Sequence, residues 1–126
     1  MRVLLDTAVL IWASSSPERL SRRARSVLKN PTSVLEFSTV SFSEMAIKRS
    51  VGKLAFSGSD ARHALNDLGA RILPYTADHA FVLFDLPLKH TDPFDRQIIA
   101  QALSEGIAVV TPDEKFSAYE GLDVIW

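Results

Sequence analysis

Along this chain, short apolar runs alternate with longer stretches in which apolar residues recur every three or four positions, punctuated by Pro, Gly, Ser and Asn. The short runs predict strands and the longer ones amphipathic helices. RVLLD at 2–6 reads as a first strand, EFSTVS at 36–41 as a second, and ARILPY at 70–75 as a third, weakened by Pro74. GIAVVT at 106–111 and LDVIW at 122–126 supply a fourth and a fifth. Helices are expected from Thr7 to the break at Ser14–Pro17 and from Glu18 to Lys29, where Leu20, Ala24, Val27 and Leu28 lie opposite Arg19, Arg22 and Arg23. SEMAIKRSV opens another, which Gly52 closes, and 59–69, 78–84 and 93–104 complete the set. Strands alternating with helices indicate an α/β fold in one domain spanning 1–126, with five mostly parallel strands covered on both faces.

Asp6 interrupts the first apolar run, between Val3-Leu4-Leu5 and the stretch from Ala8 to Trp12. A charge among apolar groups costs several kcal/mol or more unless it is paired, hydrogen-bonded or metal-bound. In open parallel sheets the functional crevice lies beyond the carboxyl ends of the strands. Asp6 ends the first strand, Asp113 follows the fourth, and Glu44 lies in the first turn after the second. Asp92 and Asp95, in HTDPFDRQIIAQAL, begin the helix that leads into the fourth strand, so all five acids map to one edge.

Helix caps account for part of this pattern. Ser41-Phe42-Ser43-Glu44 and Thr111-Pro112-Asp113-Glu114 have the form of capping boxes, Asp92-Pro93 that of an N-cap followed by proline, and Asp6 with Thr7 can also cap. Capping leaves a surplus, because Asp113 is spare when Thr111 and Glu114 cap, and Asp95 is spare when Asp92 does. Asp95 also precedes Ile98, Ile99 and Ala102 at helical spacing, on the face its helix buries. Two carboxylates held 4 Å apart repel by about 4 kcal/mol at an effective dielectric near 20. A divalent cation reverses that sign. The chain has no cysteine, so the donors are oxygens, which suits magnesium or manganese better than zinc. Such an ion acidifies a bound water and holds a phosphodiester against it.

Composition narrows the remaining classes. With 47% apolar and 23% charged residues the chain has material for a core. The lack of cysteine removes disulfides and thiolate nucleophiles, and Asp6 spoils the first apolar stretch as a leader or a membrane span, so a cytoplasmic protein without membrane contact is expected. A net charge of −1 gives no general attraction to nucleic acid. Local attraction falls to Lys48, Arg49 and Lys53 near the end of the Glu44 helix and to Arg96 near the acidic edge, as phosphate contacts or as plain solvated faces. Thr111 either caps or orients a group beside Asp113. His63, His79 and His90 lack metal-ligand spacing and read as surface or packing residues. All five glycines are isolated, which excludes phosphate-cradling and dinucleotide loops, and there is no GxSxG elbow.

LLDT at 4–7, SFSEMAIKRSVGKL at 41–54, LPLKHTDPFDRQIIAQAL at 86–103 and VVTPDEKFSAY at 109–119, in this order and spacing, resemble the PIN-domain ribonucleases, and among them the VapC-type toxins of bacterial toxin-antitoxin systems. The resemblance spans essentially the whole chain. It implies a three-layer α/β/α fold with strand order 3-2-1-4-5 and magnesium-dependent cleavage of RNA, manganese serving in its place, to leave 5′-phosphate and 3′-hydroxyl ends. It also implies a homodimer and inhibition by a cognate antitoxin protein. Carried over by position, the metal-binding and catalytic acids are Asp6, Glu44, Asp95 and Asp113, with Asp92 and Thr111 as supporting groups. Two other classes compete: a PIN-like module that binds RNA or protein without cutting, and a receiver-type signalling domain. A receiver needs an aspartate ending the third strand and a lysine ending the fifth, whereas here those strands end in Pro74-Tyr75 and Trp126.

Overall fold

A computed structural model describes residues Met1–Trp126. Five strands, β1 (Arg2–Leu5), β2 (Val34–Ser38), β3 (Arg71–Leu73), β4 (Ala108–Val110) and β5 (Val124–Ile125), form one sheet in the order β3-β2-β1-β4-β5. Every neighbouring pair is parallel, as expected from connections that each carry helix. Six α-helices complete the chain: α1 (Thr7–Ser15), α2 (Arg22–Lys29), α3 (Thr39–Ser50), α4 (Gly58–Leu68), α5 (Ala77–Asp85) and α6 (Pro93–Glu105). The sheet separates two apolar layers. Val3, Leu5, Phe37 and Val110 point toward α1, α2 and α4, while Leu4 and Val109 point toward α6. This alternation along β1 and β4 is the period-two pattern of a strand buried on both faces. Helix α3 serves both layers, with Met45 in the first and Val40 in the second.

Several boundaries depart from the sequence expectation, the end of β2 and the start of α2 most of all. The second strand ends at Ser38, because the Ser38 hydroxyl accepts from the Val40 N–H and starts α3 there. Ser41 and Glu44 therefore lie inside the helix, and the expected capping box between them does not form. The expected helix from Glu18 is interrupted: a 3-10 turn at Pro17–Arg19 leads to extended Leu20, and Ser21 caps α2 anew by accepting from Ala24 N–H. After β4, Asp113 rather than Thr111 caps the turn that follows. The Asp92 cap forms as read, with Pro93 in the first helical position. No helix is long and apolar enough to cross a membrane.

Candidate metal and catalytic site

The register places the last residue of β1, Leu5, between Phe37 and Val110, so the chain leaves the sheet at Asp6 on the carboxyl edge. The Asp6 N–H donates to Val110 O at 3.0 Å, which extends the β1–β4 ladder by one bond and fixes where the carboxyl starts. Asp6 is 7% exposed. Its Oδ1 accepts from Thr7 N–H at 2.8 Å, the cap of α1, and its Oδ2 accepts from the Thr111 hydroxyl at 2.8 Å. Thr111 is buried just past β4, and its Oγ1 also accepts from Asp113 N–H at 3.1 Å. One hydroxyl thus joins Asp6 to the segment that carries Asp113.

Glu44 arrives from the other side, on the second turn of α3, and is 6% exposed. Its Oε1 accepts from the Thr7 hydroxyl at 2.7 Å, with Ser41 Oγ 2.8 Å from the same Thr7 atom. Its Oε2 faces Lys48 Nζ at 2.6 Å, one helical turn on. Asp92 Oδ1 is taken up by capping, accepting from Phe94 N–H and Asp95 N–H at 2.9 Å each. Asp95, in the first turn of α6, has no close donor: its Oδ2 lies 3.5 Å from His90 Nε2. Asp6, Glu44, Asp92, Asp95, Lys48 and Lys53 line a cleft of about 310 Å³, with Asp113 beside it through Thr111.

The acids feel one another. The Asp6 carboxyl is pushed up to about 6, mainly by burial, with Glu44 and Asp113 adding repulsion against the Thr111 and Thr7 hydrogen bonds. Asp95 is pushed up to about 8 by burial and then by Asp6, Asp92, Glu44 and Asp113. The other four acids expected from the sequence therefore all act on this one carboxyl group. The hydrogen bond to Glu44 raises the Lys48 ammonium in turn.

As the side chains stand, no three of these acids close round a common point at ligand distance. Most of their oxygens are turned instead to a hydroxyl, a backbone amide or Lys48. The donor chemistry still fits a hard divalent cation: the set is all oxygen, it is crowded with like charge, and its most strongly perturbed member lacks a close hydrogen-bond donor. The basic residues divide. Lys48 and Lys53 belong to the cleft, whereas Arg49 donates to Ala55 O at 2.7 Å and Arg96 donates to Leu86 O, Pro87 O and the Tyr119 hydroxyl. Sequence reasoning passed over Thr7 and Ser41 as links to Glu44, and took His90 for a surface or packing residue; the adjacency of Thr7 to Asp6 was the available signal.

Comparison with known proteins places the fold. A model of the PIN domain matches residues 3–122. Among curated protein sequences none matches. Solved structures that cover nearly the full chain include the VapBC2 complex of Rickettsia felis bound to a DNA fragment from its promoter, at TM-score 0.72 and 18% identity over 98% of this chain and 97% of the other. The DNA-bound VapBC of Salmonella typhimurium matches at TM-score 0.69 and 18% identity, over 98% and 96%. Mycobacterium tuberculosis VapC20, a toxin that cleaves the sarcin-ricin loop, matches at TM-score 0.60 and 19% identity, over 96% and 98%. At these identities the likeness is one of fold.

Proposed function

This chain belongs to the PIN domain family, and from that premise we propose that it is a metal-dependent endoribonuclease of the VapC type, the toxin of a toxin-antitoxin pair. The observation that carries the reading is the coupling of five carboxyl groups, remote in sequence, at the carboxyl edge of β1, β2 and β4, with Asp95 raised by all four of the others. Stability alone disfavours such crowding. Asp6, Glu44, Asp95 and Asp113 would hold magnesium, with manganese as a substitute. When bound, the ion supplies a Lewis acid for the phosphodiester and an acidified water for in-line attack.

The chain's own residues prepare that chemistry. The Thr7 N–H and the Thr111 hydroxyl each hold one oxygen of Asp6, and the Thr7 hydroxyl holds Glu44 beside them. Lys48, tied to Glu44, and Lys53 present ammonium groups at the cleft for RNA phosphates. Partners follow from surfaces away from the cleft. Phe81 and Phe84 stack 6.0 Å apart on α5 and, with Leu88, are largely exposed, which suits a homodimer. An apolar groove of about 730 Å³ between α3 and α4, lined by Phe42, Met45, Phe56 and Leu65, suits a segment of an antitoxin.

RNA cleavage by the purified protein, with and without EDTA, tests the reading. Magnesium-dependent cuts bearing 5′-phosphates are expected, with Asp6→Asn inactive but folded, since asparagine still accepts from Thr7 N–H. Full activity in that variant, free of contaminating nuclease, or undiminished activity in EDTA, sinks the proposal.

A further inference from the structure

His90 has no part in the mechanism above, yet its ring is fixed on every side. It sits in the loop between α5 and α6, with a side chain 8% exposed. The ring meets Tyr119 edge-on at 5.4 Å between centroids and lies 6.2 Å from Phe116. His90 Nδ1 stands 2.8 Å from the Tyr119 hydroxyl, which is also 3.1 Å from Arg96 Nη1. A guanidinium can only donate, so the Tyr119 oxygen accepts from Arg96 and its own proton is free for His90 Nδ1. With Nδ1 as the acceptor of that proton, the ring proton of a neutral imidazole sits on Nε2. That nitrogen is buried without a hydrogen-bond partner, and the group it faces is Asp95, at 3.5 Å. Arg96 is itself anchored to Leu86 O and Pro87 O, in the loop that carries His90.

We propose that His90 is a positioning residue for Asp95: the relay Arg96 to Tyr119 to His90 locks the Nε2–H tautomer and aims that donor at the one carboxyl of the site that no other close donor holds. The inference rests on the reading of Asp95 as an ion ligand. A ligand carboxylate aimed by a hydrogen-bond donor behind it is better organised than a free one, and removing such a support costs about 10- to 100-fold in metal affinity. A packing role for His90 would require its shape and neither of its nitrogens.

Two measurements test this. Nitrogen-15 spectra of the imidazole in the metal-free protein should show Nε2 protonated and Nδ1 bare, and Tyr119→Phe should lose that preference. A ring protonated on Nδ1 in the wild type overturns the inference. Manganese titration should then give His90→Gln, whose amide nitrogen falls near the place of Nε2, an affinity within about threefold of wild type, and His90→Asn, which reaches only Tyr119, a loss of about 10- to 100-fold. Equal affinity in His90→Asn and wild type overturns the positioning role and leaves the nuclease reading intact. No manganese uptake by the wild type overturns both. Tyr119→Phe leaves the imidazole in place and decides the matter by both readouts should the His90 variants fail to fold: unchanged tautomer and affinity overturn the relay.

Discussion

The two edges of the sheet handle buried acids in opposite ways. Toward the amino edge, Glu36 at the middle of β2, 3% exposed, lies between Arg2 at 3.0 Å and Arg71 at 3.2 Å, the residues that open β1 and β3, and Arg2 also reaches Glu105, which takes a further contact from His79 at 2.9 Å. There, hydrogen bonds from His79 and Arg2 hold the Glu105 carboxyl below its usual range, and those to Glu105 and Glu36 raise the Arg2 guanidinium. At the carboxyl edge the same chain lines a cleft with four acids and two lysines, sets Asp113 beside it, and pushes two of the carboxyls up. A buried carboxylate is thus something this fold can satisfy with its own cations, and does. At the carboxyl edge only Glu44 meets such a cation, Lys48, while neither Asp6 nor Asp95 meets a lysine or arginine, and an outside cation would serve there.

Breaking the unmatched edge should have the largest effect. Under the proposed function, Asp95→Asn is expected to cut RNA cleavage by at least about 100-fold, measured on a defined oligonucleotide at saturating magnesium, because it would remove an ion ligand. Cleavage within a few fold of wild type would deny Asp95 that role.

The next effect is on stability, and its sign separates the edges. Asp6 and Asp95 hold their protons to about 6 and about 8 in the folded chain, whereas in the unfolded chain aspartate releases its proton near 3.9. Between those limits the folded state binds more protons, so rising pH strips protons that stabilise it. The metal-free melting temperature should therefore fall from pH 5 to pH 9. Manganese should restore it most at the high end, and Asp95→Asn should flatten the decline. A melting temperature that rises over this range would contradict the account.

The matched edge should respond in the third and smallest way. Glu36→Gln leaves Arg2 and Arg71 without their shared carboxylate and should cost about 1–3 kcal/mol in urea unfolding. Turnover per folded molecule should stay unchanged, since Glu36, at the middle of β2, has its carboxylate held by Arg2 and Arg71 and lines no part of the cleft. Loss of turnover without loss of stability would show that the two edges are not independent.

Much of this was legible in the sequence, for a definable reason. Strands buried on both faces are unbroken apolar runs, so VLL and AVV announce themselves, and a charge such as Asp6 at the end of one is conspicuous. The carboxyl-edge rule then gathers acids from four segments. What escaped was decided by competition between neighbours. Ser38 and Ser41 are both good caps, and nothing in EFSTVS says that Ser38 prevails and turns Thr39 and Val40 into helix. Glu36 sits in the same run, but its cations come from residues 2 and 71, too distant for any local pattern. His90 was invisible for the same reason, because its partner Tyr119 is supplied by the segment after β4.

The central position of β1 carries a further consequence. Its left-hand neighbour β2 is made early, but its right-hand neighbour β4 joins only after residue 110 has left the ribosome, and Thr111 and Asp113 come with it. Contacts closed over so long a loop form late. A chain caught before residue 111 already carries Asp6, Glu44 and Asp95 but lacks Thr111 and Asp113, and with them the hydroxyl that holds the second oxygen of Asp6.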